Sequence, residues 1–319
     1  MKTEKNQQSS QTSQPYQEDE IDLRELFTVL WKGKWVIIAV TFIFAVASVG
    51  YALYLPNEYK ATAVVQPNES GGGGKLSQLA GQFGGLASLA GINLGGGEHS
   101  DAVVALEIMK GWGFAEHYIN KHQLAVPLFA AGGWDESSNS LVLNNNIYDE
   151  TNHKWLRVGS EGNIEAPSSW ELYKIYNDRV FVERNQDTGF IKVSVVFYSP
   201  TLAKRWVDFL INDINQYMKA RALKEANKNI NYLEEQISQT SVTEIRMVFS
   251  ELIQEQHKTK MLAEVSDEYV FKTISGAKIP EEKINPNRPL IVVLGILVGG
   301  VLSVLLVLIM SFLRDKYRV

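Results

Sequence analysis

The chain has 319 residues, a formal net charge of −5 and 45% hydrophobic residues. This mildly acidic composition lacks the basic balance typical of nucleic-acid-binding proteins, so no nucleic acid partner is expected. The chain contains no cysteine, which excludes disulfide bonds, thiol catalysis and cysteine-based zinc sites.

The N-terminal region divides into two segments of different composition. Residues 1–17 are mostly Gln, Ser, Thr, Asn and charged side chains, which bury too little apolar surface to offset ordering entropy. They predict a disordered cytoplasmic tail. In residues 18–35, Asp22 can cap a helix, and the apolar residues that follow recur on one face. Tryptophan and lysine at 31–35 (WKGKW) suit the headgroup level, so this segment predicts a cytoplasmic interfacial helix.

Two uncharged apolar runs, residues 36–55 and 290–313, predict transmembrane helices. At ~1.5 Å per residue, the second run extends about 36 Å, enough to cross a hydrocarbon core of ~30 Å with some tilt. Basic residues precede the first run, and Arg314, Lys316 and Arg318 follow the second. The positive-inside rule therefore predicts that both termini are cytoplasmic.

With both termini inside, residues 56–288 are expected on the far side of the membrane as one large extracytoplasmic domain. The first apolar run is not expected to be a cleaved signal peptide. It is too long for an h-region, lacks a small-residue cleavage site and follows a long N-terminal stretch.

The segment after the first membrane run begins with a strand pattern. Residues 59–65 (YKATAVV) are rich in strand formers and predict a strand near the membrane. The glycine-rich residues 71–97 carry apolar side chains at helical spacing, which predicts a short amphipathic helix in a loop. This segment is either a flexible surface loop or a helix that packs on a neighbouring subunit or partner. Its GGGGKL run lacks the spacing of a phosphate-binding loop.

No metal, cofactor or catalytic site is expected. The five histidines are His99, His117, His122, His153 and His257. Only His117 and His122 are close in sequence, and a spacing of five does not place them on one helical face. All five are therefore expected to be surface histidines.

The middle of the domain predicts helices and a hairpin. Residues 101–122 and 170–176 predict helices on either side of a stretch without a clear pattern. Residues 179–183 and 190–197 flank a glycine-containing turn and predict two paired strands. The second strand has alternating apolar residues on one face: Ile191, Val193, Val195 and Phe197.

Residues 201–275 follow a Ser-Pro helix start and contain neither glycine nor proline. One straight helix of this length would extend ~110 Å, and the chain could not return from its end to the second membrane run. A turn is therefore expected at residues 239–244, where Ser241 and Glu244 can form a capping box for a second helix. Residues 269–274 then predict a third strand.

The predicted fold is an α+β membrane protein. Two transmembrane helices flank a mixed α/β base domain with a long extended helical hairpin. The base comprises residues 56–198 and 268–288, the hairpin comprises residues 199–267, and residues 314–319 form a cytoplasmic tail. The apolar stripe along the hairpin is either intrachain core or, in part, a contact with a neighbouring subunit.

The second membrane run is a candidate packing helix. The candidate residues are Pro286, Pro289, Gly295, Gly299, Gly300 and Ser303. Three of them, Gly295, Gly299 and Ser303, are four residues apart and share one face, which would let a neighbouring subunit or partner helix approach closely in lipid. The alternative is that glycine is simply common in membrane helices. The two prolines restrict the backbone where the helix begins.

Several short motifs, in this order and topology, resemble the polysaccharide co-polymerases, the Wzz-type chain-length determinants of bacterial envelope polysaccharides. The motifs are 19–23 (DEIDL), 31–35 (WKGKW), 55–60 (LPNEYK), 269–271 (YVF) and 286–289 (PNRP). The resemblance implies a homo-oligomer of the bacterial inner membrane, with a periplasmic domain, that is not an enzyme. Such proteins set the modal length to which an integral-membrane polymerase extends a lipid-linked glycan, such as O-antigen.

Other functions stay open at this stage. One branch of the family carries a cytoplasmic kinase, and the end at Val319 predicts the branch without it. Capsule or exopolysaccharide export with a separate kinase or export chain is the alternative within the family. A periplasmic enzyme would need a nucleophile with a base, or paired carboxylates, and no local motif supplies them. A two-pass receptor or scaffold is the remaining alternative, but a receptor would need a transmitter domain, for which residues 314–319 are too short.

Overall fold

A computed structural model describes residues 23–68, 101–159 and 162–316 of the chain. The predicted N-terminal tail and the glycine-rich segment with its short helix lie outside the described residues. The chain divides into two compact units. The first contains both ends of the chain, and the second is Pro56–Pro286.

Helices and strands are mixed along the chain, which confirms the predicted α+β class. The helices are α1 (Leu23–Lys32), α2 (Lys34–Tyr54), α3 (Asp101–Lys110), α4 (Trp112–Lys121), α5 (Ala125–Ala130), α6 (Ser169–Arg179), α7 (Pro200–Gln239), α8 (Thr243–Val265) and α9 (Arg288–Lys316). The strands are β1 (Glu58–Pro67), β2 (Ala131–Asp135), β3 (Ser140–Leu143), β4 (Tyr148–Asp149), β5 (Lys154–Trp155), β6 (Val180–Arg184), β7 (Ile191–Phe197), β8 (Phe271–Ser275) and β9 (Lys283–Asn285).

The first unit contains two helices with the length and composition of membrane spans, α2 and the Arg288–Ser311 part of α9. Most of their surface is not buried inside the molecule, unlike that of a core helix in a soluble protein. Each helix satisfies its own backbone hydrogen bonds, and its exposed apolar side chains are suited to contact with lipid.

The second unit is built on a five-stranded antiparallel sheet with β1 at its centre. The strand order is β6-β7-β1-β8, and β9 pairs with the start of β1. The hairpin of β6 and β7 has the predicted glycine turn. The Asn185 side chain accepts hydrogen bonds from the amides of Asp187 and Thr188, and Gly189 adopts a φ of +72° that favours glycine.

The core of this unit forms where α7 packs on the sheet. The four alternating residues predicted for β7 are all fully buried, which confirms the strand pattern. On β1, the small buried side chains of Ala61 and Ala63 leave room for α7, which buries Val207, Leu210 and Ile214 in the same core.

The long helical hairpin is formed by α7 and α8. Helix α7 begins as predicted, with Pro200 in its first turn and the Ser199 hydroxyl accepting the amide of Leu202. It ends at Gln239, so the turn lies within the predicted stretch. The predicted capping box was wrong. The N-cap residue of α8 is Val242, which makes no side-chain hydrogen bond to the first turn of the helix.

Near the turn, the two arms of the hairpin share a small apolar cluster of their own. Leu233 of α7 and Leu252 of α8 are buried there, with Val248, Phe249 and Ile253 packed against them. The apolar stripe is therefore intrachain core at this level.

Candidate functional site

The predicted packing face of α9 lies against α2 of the same chain. A Cβ atom added to Gly299 would lie 2.5 Å from Phe44 Cβ, and one added to Gly295 would overlap the Ser48 side chain. Real Cβ contacts are not this short, so both positions need glycine for the present approach of the helices.

The third small residue of the face, Ser303, is fully buried. Its Oγ lies 3.4 Å from Thr41 Oγ1 on α2 and donates to the Gly300 carbonyl at 2.7 Å. Polar side chains of membrane helices are stabilised when they find such partners, because lipid offers none. Thr41, Phe44 and Ser48 thus form the face of α2 that receives α9.

The other predicted residues lie outside this contact. Gly300 has open space where a Cβ would be, so it does not belong to the face against α2. Pro289 lies in the first turn of α9. Pro286 belongs to the second unit and follows Asn285 through a cis peptide bond.

Two contacts of this site were missed in the sequence. A Cβ on Gly33, between α1 and α2, would overlap the side chain of Val307, so α9 also approaches closely there. Val307 is four residues beyond Ser303 and continues the same face. At the other end, Arg288 donates from Nε to the Ala52 carbonyl at 3.1 Å. The signal for Gly33 was its position between two apolar segments.

A charge cluster around one buried carboxylate lies in the second unit. The Asp213 carboxylate of α7 is buried and lies 2.7 Å from both Lys121 Nζ and His122 Nε2. The His122 ring stacks on Phe209 with centroids 4.0 Å apart. The expectation that His122 is a surface histidine was therefore wrong. Asp213, the hydrogen-bond partner of His122, is 91 residues away in sequence.

This cluster ties α4 to α7 and has the geometry of a structural ion pair, since a buried carboxylate needs a cationic partner. Within residues 23–68, 101–159 and 162–316, no group of three or more His, Asp or Glu side chains is placed to hold a metal ion. Nearby, Tyr118 donates from its hydroxyl to the Trp206 carbonyl, and burial raises the pKa of this phenol well above its ordinary value.

A second polar cluster fixes the start of α6. Ser168 caps the helix in a reciprocal capping box with Glu171. Glu171 also accepts two hydrogen bonds from Arg157, at 2.9 and 3.0 Å. These bonds, with that from the Ser168 amide, lower the pKa of the Glu171 carboxyl to about 2. Glu171 is therefore ionised at neutral pH and holds the first turn of α6 in place.

Comparisons with known proteins show what this chain is similar to. Residues 19–121 match the family model described as "Wzz: Chain length determinant protein". A comparison with curated proteins gives no match. The chain is similar to a solved "full-length bacterial polysaccharide co-polymerase", with 14% identity, 93% of this chain and 99% of that chain covered, and a TM-score of 0.37.

It is also similar to a fragment of WzzB, a polysaccharide co-polymerase from Salmonella Typhimurium. Here the identity is 13%, 72% of this chain and 100% of that chain are covered, and the TM-score is 0.28. The match to the family model confirms the resemblance carried by the sequence motifs, and it covers residues 19–121 of the chain.

Proposed function

We propose that this protein regulates the modal chain length of a cell-envelope polysaccharide, such as O-antigen. It acts without catalysing glycan transfer itself, as a homo-oligomer working with an integral-membrane polymerase on a lipid-linked glycan. The observation that carries the proposal is the match of residues 19–121 to the chain length determinant family. The two apolar helices α2 and α9 support a membrane location.

The direct test is deletion of the gene in the source bacterium, with the polysaccharide separated by length on a gel. We expect glycan of about the same total amount whose modal length is lost or shifted, and restoration by the wild-type gene. Complete loss of glycan would indicate an enzyme of the assembly pathway. An unchanged length distribution would contradict the proposal and favour a receptor or scaffold.

The proposal includes a two-pass topology in the bacterial inner membrane, with both termini cytoplasmic and residues 56–288 periplasmic. Alkaline phosphatase folds only outside the cytoplasm and reports this arrangement. A fusion after Ser140 is expected to be active, and a fusion after Val319 inactive. The reverse activities, measured at equal expression, would contradict the topology.

A further inference from the structure

Three aromatic side chains form one surface patch where α4 and α6 begin. Trp112 and Trp170 are 45% and 47% exposed, and Tyr173 packs against both. The three ring centroids lie 5.1 to 6.2 Å apart, so the rings make a continuous surface. Large exposed aromatic groups held together in this way are typical of a binding surface.

The polar atoms of the patch are bonded within the protein. Trp112 donates from its indole N–H to Ser169 Oγ at 2.7 Å, and Tyr173 donates from its hydroxyl to the Lys110 carbonyl at 3.0 Å. Both bonds fix the orientation of their rings. What remains exposed is ring surface, so a ligand of this patch must be recognised through contact with aromatic faces and edges.

The patch is held rigidly before any ligand arrives. Trp170 lies in the first turn of α6, between Ser169 and Glu171. Glu171 is held by the capping box and by its two bonds to Arg157. A ligand therefore loses little binding energy to ordering of the protein, which matters most for ligands that bind weakly.

We propose that Trp112, Trp170 and Tyr173 form a carbohydrate-binding platform for pyranose rings of the growing glycan; this inference rests on the proposed function. A pyranose presents a face of C–H groups with partial positive charge, which is complementary to the negative face of an aromatic ring. Lys174 places its ammonium 5.8 Å from the Trp170 ring centroid, beside the platform, where it can donate to sugar hydroxyls or to an acidic sugar.

The test uses the full-length protein in lipid nanodiscs. The probes are a neutral glucose oligosaccharide and an acidic galacturonic acid oligosaccharide, and binding is followed by saturation-transfer NMR and intrinsic fluorescence. The wild type is expected to bind and to transfer saturation chiefly to the ring C–H protons. The double variant Trp112→Ala, Trp170→Ala should bind the probes at least about tenfold more weakly than the wild type. The double variant Trp112→Phe, Trp170→Phe should keep part of the affinity, because it keeps an aromatic ring at each position.

The matched control is Tyr217→Ala, because Tyr217 is 45% exposed and lies outside the three-ring patch. This variant should bind both probes as the wild type does. No binding of either probe to the wild type, or equal binding by the double Ala variant, would overturn the inference. A change of particle mass in mild detergent without a change in sugar binding would make the patch a subunit contact and also overturn it.

The cellular readout separates this inference from the proposed function. The double Ala variant is expected to change the glycan length distribution at normal expression. If gene deletion leaves that distribution unchanged, the proposed function fails. If deletion changes it while the double Ala variant binds both probes and supports the normal distribution, only the platform fails.

Discussion

Gly299→Leu is expected to disrupt the packing of α9 on α2 and to broaden or shorten the glycan length distribution while leaving membrane insertion intact. A side chain at this position begins 2.5 Å from Phe44 Cβ, so the helices must separate or shift. Overpacking of this kind costs about 1–3 kcal/mol. The added leucine is itself favourable in lipid, which is why insertion should survive.

Gly300→Leu is the matched control, since the same substitution one residue later meets open space within the first unit. It should leave helix packing unchanged. Packing can be measured by disulfide trapping with Thr41→Cys and Ser303→Cys, whose native hydroxyl oxygens lie 3.4 Å apart in a chain without cysteine. The disulfide should form within one chain, and it should not form when Gly299→Leu is added.

The same disulfide trap tests whether the packing face of α9 contacts α2 of its own chain or a neighbouring subunit. A covalent dimer in place of an intrachain bond would show that the face of α9 meets a neighbouring subunit. The double variant Gly295→Leu, Gly299→Leu is the stronger test. If it is well expressed and gives a normal glycan length distribution, α9 serves only as a membrane anchor.

The packing face was visible in the sequence because glycine and serine at a spacing of four stand out in an otherwise bulky apolar run. Its partner was not visible. Thr41 and Ser48 are seven residues apart and share a face of α2, but a threonine and a serine in an apolar run do not by themselves indicate which helix they contact. The pairing of the two helices is a tertiary property that depends on both faces together.

In the second unit too, patterns local in the sequence could be predicted, whereas contacts between distant residues could not. Strand β7 could be predicted from its alternation, and the hairpin from a long stretch without glycine or proline. Strands β4 and β5 have two residues each, which is too short for periodicity to indicate anything. The position of His122 depends on Asp213, a residue distant in sequence, and composition carries no signal of such a pair.

Asn215→Ala is expected to cause a large loss of stability in the second unit. The Asn215 side chain is buried, accepts the amides of Val270 and Phe271 at 2.8 and 2.9 Å, and donates to the Phe271 carbonyl at 3.0 Å. Phe271 lies opposite Pro67 in the sheet, and proline has no N–H to donate. Asn215 thus supplies the hydrogen bonds that join α7 to the start of β8.

Removing this side chain leaves three buried backbone groups without their partner, at about 1–3 kcal/mol each before any relaxation. We therefore expect Asn215→Ala to lower the free energy of unfolding by about 3 kcal/mol or more, measured by thermal or urea unfolding of the full chain in detergent. Asn212→Ala is the matched control on the same helix. Asn212 is exposed and accepts a long 3.5 Å bond from Gln216, so the effect of this substitution should stay within about 0.5 kcal/mol. Asn215→Asp should fall between the two variants in effect, since a carboxylate can still accept both amides but cannot donate to the Phe271 carbonyl and must bury a charge. Equal stability of the Asn215→Ala and Asn212→Ala variants would show that water replaces the amide, and that the junction of α7 with β8 is held by apolar packing alone.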